Sequence, residues 1–155
     1  MAHSYISNHI HLVFSTKHRE RSLTPEIRDR LWNFIGGIAR KNNIEPVVIG
    51  GFDDHCHALL SLPSSMSVAK AAQLVKGGSS KWISDTFPDR KQFKWQTAYA
   101  AFSVSISQIE NTVQYIKNQE QHHKRQSFGD EYIAFLERHH IPFDRDAIFK
   151  TGEEE

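Results

Sequence analysis

Two short constellations in this chain carry residue types that could do chemistry together: His55-Cys56-His57 inside an apolar run, and Tyr115 with Gln119. The first follows Gly50-Gly51-Phe52-Asp53-Asp54 and runs on through Ala58-Leu59-Leu60-Ser61-Leu62, so turn-forming residues lead into alternating apolar positions that read as a strand. Residues two apart on a strand share a face. Both imidazoles would then project together, as two metal ligands must, while Cys56 points into the opposite layer as a small buried hydrophobe. The second lies beyond Ser107-Gln108-Ile109-Glu110, a Ser-x-x-Glu capping box that announces a helix. Tyr115 and Gln119, four apart, stack on one helical face. That spacing lets an amide oxygen reach a metal while a phenol aims at whatever the metal holds.

Neither constellation is decisive by itself. Ten histidines in 155 residues give roughly 0.6 His-x-His matches by random placement, and short motifs carry that false-positive risk. A second match, His9-Ile10-His11, is present. It reads as part of a first strand, with His11 buried.

The elements that must position these side chains follow from the hydrophobic periods and the punctuation. A strand is expected near 9–15, then a helix from Pro25 to Lys41 with Thr24 as N-cap. Strands follow near 44–51 and 56–62. A second helix starts after Ser67 and runs to about Asp85, interrupted at Gly77-Gly78, where the glycines would kink it or admit a close backbone approach. An aromatic strand is expected over 93–105 and the Tyr115 helix over 108–125. The order β-α-β-β-α-β followed by a helix predicts an α+β fold: a ferredoxin-like (split βαβ) antiparallel sheet with helices on one face and an additional C-terminal catalytic helix. After Tyr115 no long rigid element is expected before a break at Ser127-Phe128-Gly129. The chain reads as one domain, residues 1–155, with about 146–155 as a flexible tail.

In the order of its motifs the sequence resembles the single-tyrosine HUH transposases of insertion sequence 200-like elements and their relatives associated with repetitive palindromic elements. The resemblance is carried by His11-Leu12-Val13-Phe14-Ser15-Thr16-Lys17, Asp54-His55-Cys56-His57-Ala58-Leu59-Leu60 and Lys76-Gly77-Gly78-Ser79-Ser80-Lys81. It continues through Trp95-Gln96, Tyr99, Phe102-Ser103-Val104-Ser105, Tyr115-Ile116-Lys117-Asn118-Gln119 and His122-His123. It implies that His55 and His57 bind a divalent metal, Mg2+ or Mn2+, with Gln119 as third ligand. Tyr115 would be the nucleophile that attacks single-stranded DNA with hairpin ends. A 5′-phosphotyrosine would keep the energy of the broken phosphodiester, so strands could be rejoined without a nucleotide cofactor. A homodimer is implied too, the sequence leaving open whether each site forms within one chain. Imidazole ligands alone would favour a later transition metal such as Zn2+. Two other readings remain: a ferredoxin-like nucleic-acid-binding module without catalysis, and a replication-type HUH nickase.

Composition sets the outer bounds. With 39% hydrophobic and 11% aromatic residues the chain can bury a real core. Its apolar runs are broken by charge well short of a membrane span, and no signal-peptide pattern opens it, so a cytoplasmic protein without a membrane partner is expected. One cysteine cannot form an internal disulfide. A net charge of +1 does not advertise DNA binding, so any contact must come from local clusters. The candidates are Lys17 and Arg19 in the first basic cluster, and Lys76 and Lys81 in the second. Trp95, Tyr99 and Phe102 could stack bases but read as core.

Overall fold

The computed structural model describes residues 4–148. Four strands, β1 (His9–Ser15), β2 (Glu45–Gly51), β3 (His55–Ser61) and β4 (Ala100–Val104), form one antiparallel sheet in the order β2-β3-β1-β4. This is the split βαβ arrangement expected from the element order. The two central strands, β1 and β3, pair along their whole length, Val13 opposite His57 and Ser15 opposite His55.

Two helices cover one face of the sheet. α1 (Pro25–Lys41) starts at Thr24, whose side chain accepts from the Ile27 N–H, with Pro25 preset in the first turn. α2 (Val68–Thr86) starts at Ser67, which accepts from the Lys70 N–H. Leu31, Ile35, Ala72 and Val75 from these helices meet Ile10, Leu12, Phe14, Cys56, Ala58 and Leu60 from the sheet in the larger core. The Cys56 thiol is fully buried there, and burial pushes its pKa well up, which leaves it an inert core group.

The opposite face carries α3 (Ile109–Lys117), the single turn α4 (Gln119–His122) and α5 (Phe128–Arg138). α3 lies against β2 and β3. α5 sends Phe128, Phe135 and Leu136 against Val13, Ala100 and Phe102 in a second, smaller core that Tyr115 borders. The sheet is therefore sandwiched, and the histidine-bearing face of β3 is sealed by helices.

Five local expectations are corrected. α2 passes through Gly77-Gly78 without interruption, and Gly78 lies close to α1, where a Cβ would meet Ile38 Cδ1 at 2.8 Å. The aromatic strand is confined to Ala100–Val104, with one isolated bridge from Thr16 to Trp95. Residues 96–98 instead follow a loop whose carbonyls accept from the Lys76 ammonium. The Tyr115 helix breaks at Asn118 instead of reaching 125, and Ser107 does not cap it: a 3-10 turn, Ile106–Gln108, begins after Ser105 and runs into α3. Finally, Ser127-Phe128-Gly129 is a helix start, where the Ser127 hydroxyl accepts from the Asp130 N–H. The expected flexible tail falls, from residue 149 onward, outside the described residues.

Candidate metal centre and nucleophile

The turn before β3 is set by Gly51. Its φ of 151° lies where side chains are rarely tolerated, and a Cβ would stand 2.2 Å from the His55 carbonyl oxygen. From there β3 directs Cys56 into the larger core and His55 and His57 into the smaller one, each imidazole fully buried. His55 Nδ1 donates to the Asp54 carboxylate at 2.7 Å, and its ring stacks on Phe128. His57 Nδ1 lies 2.7 Å from Nε2 of His11, which is itself buried on β1. Each Nε2 is thus aimed by a partner on the other ring nitrogen, the arrangement that orients metal-binding imidazoles.

Gln119, buried at the start of α4, brings Oε1 to 2.9 Å from His55 Nε2. Its amide orientation is fixed by two donations from Nε2, to the Tyr115 carbonyl and to Glu131 Oε2, each at 3.3 Å. Tyr115 is half-buried with its ring edge-on to His57. Its hydroxyl donates to Glu131 Oε2 and lies 3.4 Å from His122 Nε2. The four residues singled out from sequence therefore meet, all from one chain.

Three further side chains join the site: Asp54 and His123, which the sequence motifs contain without a ligand role, and Glu131, which no motif marks. Asp54 stands beside His55 and reads in the sequence as turn-former. His123 donates from Nδ1 to the Gln126 carbonyl at 2.7 Å and places Nε2 2.9 Å from Gln119 Oε1. Glu131, on α5, is buried with Oε1 3.0 Å from His57 Nε2, 3.4 Å from His123 Nε2 and 3.6 Å from His55 Nε2. The signal that could have found Glu131 is the helical spacing of Phe128, Tyr132, Phe135 and Leu136 behind an N-capping Ser127.

The electrostatics follow from burial around one carboxylate. Burial favours a protonated Glu131, but hydrogen bonds from His123 and His57 outweigh it and hold the carboxyl well below its usual range. Burial lowers the pKa of His57, and lowers that of His11 further, with the His57 charge adding to it. At His123 burial also acts to lower the pKa, but the Glu131 hydrogen bond and charge prevail and raise it. The Tyr115 phenol is pushed well above its ordinary value, first by burial and then by the charge of Glu131.

The hydrogen-bond geometry also bears on the charge of the cluster. Carbonyls and carboxylates only accept, so the N–H of neutral His55 is committed to Asp54 and that of neutral His123 to Gln126. In those neutral forms both Nε2 atoms would turn lone pairs to Gln119 Oε1, another acceptor, at 2.9 Å, whereas a protonated His123 would donate there and to Glu131. Such a cluster calls for positive charge among its acceptors, which a protonated imidazole or a bound cation would supply. The residues present fit such a cation.

Of the basic residues proposed to touch nucleic acid, Arg19 lines a cavity of about 310 Å3 beside the site, together with Arg21, Phe52, Asp54 and His123. Lys17 lines a separate cavity with Thr16, Arg90 and Lys94. Lys76 is half-buried, donates to the carbonyls of Gln96, Thr97 and Ala98, and has its pKa lowered by burial to about 8. Lys81 is exposed and ion-paired with Asp85 one turn on. Trp95 is core, donating from Nε1 to Ser79 Oγ, and Phe102 is buried in the smaller core.

A split βαβ sheet with a buried histidine pair, an amide and a helical tyrosine on one face has the layout expected of the HUH class. A family model described as "Transposase IS200 like" matches residues 4–119, and the chain belongs to that family. It is 26% identical over 114 residues to the ISDra2 transposase TnpA of Deinococcus radiodurans, covering 70% of this chain and 81% of that one. It is 29% identical over 96 residues to the transposase for insertion sequence element IS200 of Salmonella typhimurium, 62% of each chain. Among solved structures, a candidate transposase from Deinococcus radiodurans R1 superposes with a TM-score of 0.63 at 28% identity, over 77% of this chain and 96% of that one. A REP-associated tyrosine transposase bound to a REP hairpin shares the fold, with a TM-score of 0.59 at 16% identity, over 79% and 73%. Among the described residues no helix is long and apolar enough to cross a membrane.

Proposed function

We propose that this transposase cleaves and rejoins single-stranded DNA through Tyr115, with a divalent metal held by His55, His57 and Gln119. The observation that carries the reading is the approach of the Tyr115 hydroxyl to the buried histidine cluster within one chain, edge-on to His57 and hydrogen-bonded to Glu131. When bound, the metal supplies a Lewis acid that polarises the scissile phosphate.

The residues themselves do the rest. Glu131 holds the phenol by its proton and fixes the direction of the oxygen, while Phe135 closes the apolar side of the ring. Attack forms an O–P bond from tyrosine to the 5′ phosphate and breaks the bond to the 3′ oxygen, which leaves as a 3′-hydroxyl. A second 3′-hydroxyl reverses the step and releases the tyrosine, which joins strands without a nucleotide cofactor. Substrate would enter by the groove of about 240 Å3 lined by His11, Asn111, Thr112, Tyr115 and Arg138. A hairpin-ended substrate and a homodimer belong to the same reading, on the family's account.

The test is a denaturing gel of wild type and Tyr115→Phe with labelled hairpin-bearing single strands, in Mg2+, Mn2+ or chelator. A metal-dependent, protease-sensitive adduct formed only by wild type is expected. A wild type that binds the DNA but forms no adduct in any metal would leave a binding module instead.

A further inference from the structure

We propose that Arg138, in the last turn of α5, is a catalytic residue: its guanidinium pairs with a non-bridging oxygen of the phosphate that Tyr115 attacks. This rests on the preceding reading of Tyr115 as nucleophile, and adds a cation supplied by the chain itself, outside the histidine cluster.

Arg138 and Tyr115 line the same groove of about 240 Å3 and pack on the same ring. The guanidinium carbon lies 5.2 Å from the centre of Phe135, and the Tyr115 ring centre lies 5.6 Å from it, edge-on. Phe135 is buried and stacked on Phe102, so the smaller core fixes this platform. A second cavity, of about 390 Å3, adjoins the first through His11, Gln108 and Thr112 and reaches Ser103 on the edge strand β4. Arg138 lines that one too, so a strand following both would pass its guanidinium.

The charge around it is one-sided. Neither cavity is lined by a carboxylate, and Arg138 is the single arginine or lysine on either. The adjacent Glu137 is engaged by Arg145 at 3.4 Å, and among the described residues Arg138 makes no ion pair. A guanidinium held over an apolar ring keeps its planar fork of donors for an anion, and phosphate oxygens match that fork. Attack by the tyrosine oxygen adds electron density to the non-bridging oxygens, so a fixed cation there stabilises the transition state more than the bound substrate. An arginine in a last turn also suits the helix dipole, and that role alone would appear in stability and not in catalysis.

Adduct formation would be timed in single turnover with the hairpin-bearing strand for wild type, Arg138→Ala, Arg138→Lys and Arg145→Ala, with thermal melts as a check on folding. Arg138→Ala should slow it about a hundredfold. Arg138→Lys, which keeps the charge at the helix end should the alanine variant not fold, should slow it about tenfold. Arg145→Ala, which breaks an exposed pair, should stay within about twofold of wild type. A second measurement places one uncharged methylphosphonate at the mapped cleavage position, or one nucleotide away, and reads binding by fluorescence anisotropy in Tyr115→Phe with and without Arg138→Ala. Arg138→Ala should cost about tenfold in affinity on the natural strand and on the strand neutralised one nucleotide away, and nothing on the strand neutralised at the cleavage position. Equal losses on all three strands, or adduct formation at the wild-type rate in folded Arg138→Ala, would overturn this inference and leave the Tyr115 reading standing. If wild type formed no adduct in any metal, both would fall.

Discussion

The residues of the site disagree about protons in a way that can be measured on the metal-free protein. Burial lowers the folded pKa of His11 and His57 below their ordinary 6.5, so unfolding takes up protons as the pH falls through that value. Their stability contribution is present above 6.5 and lost below it. His123 has the opposite sign: raised by Glu131, it contributes below 6.5 and is lost as pH rises through its folded value. Glu131, held low, loses its contribution only under more acid conditions, below its ordinary 4.5. Toward pH 5.5 His123 is charged in both states and no longer opposes them, so His11 and His57 leave up to about two net protons at the acid end, and stability should fall by roughly 1–2 kcal/mol between about pH 6.5 and 5.5. Thermal melts in chelator should show Tm lower by about 3–5 °C at the acid end, with a smaller drop in His11→Phe. A Tm that rises on acidification would contradict the assignment. The same residues mark what sequence could disclose. His55 with His57, and Tyr115 with Gln119, are visible because two is the strand period and four fits the helix. Glu131 and His11 act across the fold, from 74 and 46 positions away from His57, and no local period announces that.

At the scale of elements, the seating of α3 on β2 decides where Tyr115 sits. A Cβ on Gly50 would stand 2.9 Å from the Ile116 carbonyl oxygen and 3.0 Å from its Cγ2, so backbone would have to move. Gly50→Ala is expected to cost about 1–3 kcal/mol and to slow adduct formation while metal binding through β3 persists. Gly77 is the control: a Cβ there meets nothing within 4 Å, so Gly77→Ala should stabilise α2 by about 0.5–1 kcal/mol. Calorimetry of both, beside the adduct assay, checks the pair; full activity in Gly50→Ala would show that α3 needs no such close seat. Elements with caps and clear periods were legible: α1 at Thr24-Pro25, α2 at Ser67, and β1. α5 was not, because Ser127-Phe128-Gly129 was read as a stop although the same serine caps a helix. The long aromatic strand was overread, since Trp95 faces the core from a loop that Lys76 holds in place, and periodicity alone does not separate those cases.

For the molecule as a whole, a net charge of +1 gives no general pull on DNA, so affinity must depend on where the basic groups stand. Arg21 is exposed and lines the cavity that His123 and Asp54 also line. Lys81, at 78% side-chain exposure, already pairs with Asp85 and lies on α2, across the sheet from the histidines. If single-stranded DNA is the substrate, Arg21→Ala should weaken its binding and lower the slope of log K against log salt by about 0.7, the share of one phosphate contact on a single strand. Lys81→Ala should change neither. Fluorescence anisotropy with a labelled hairpin strand over a salt series reads both quantities. Equal losses in the two variants would mean that DNA is gathered diffusely over the surface, and the cavity beside His123 would lose its support as a strand contact.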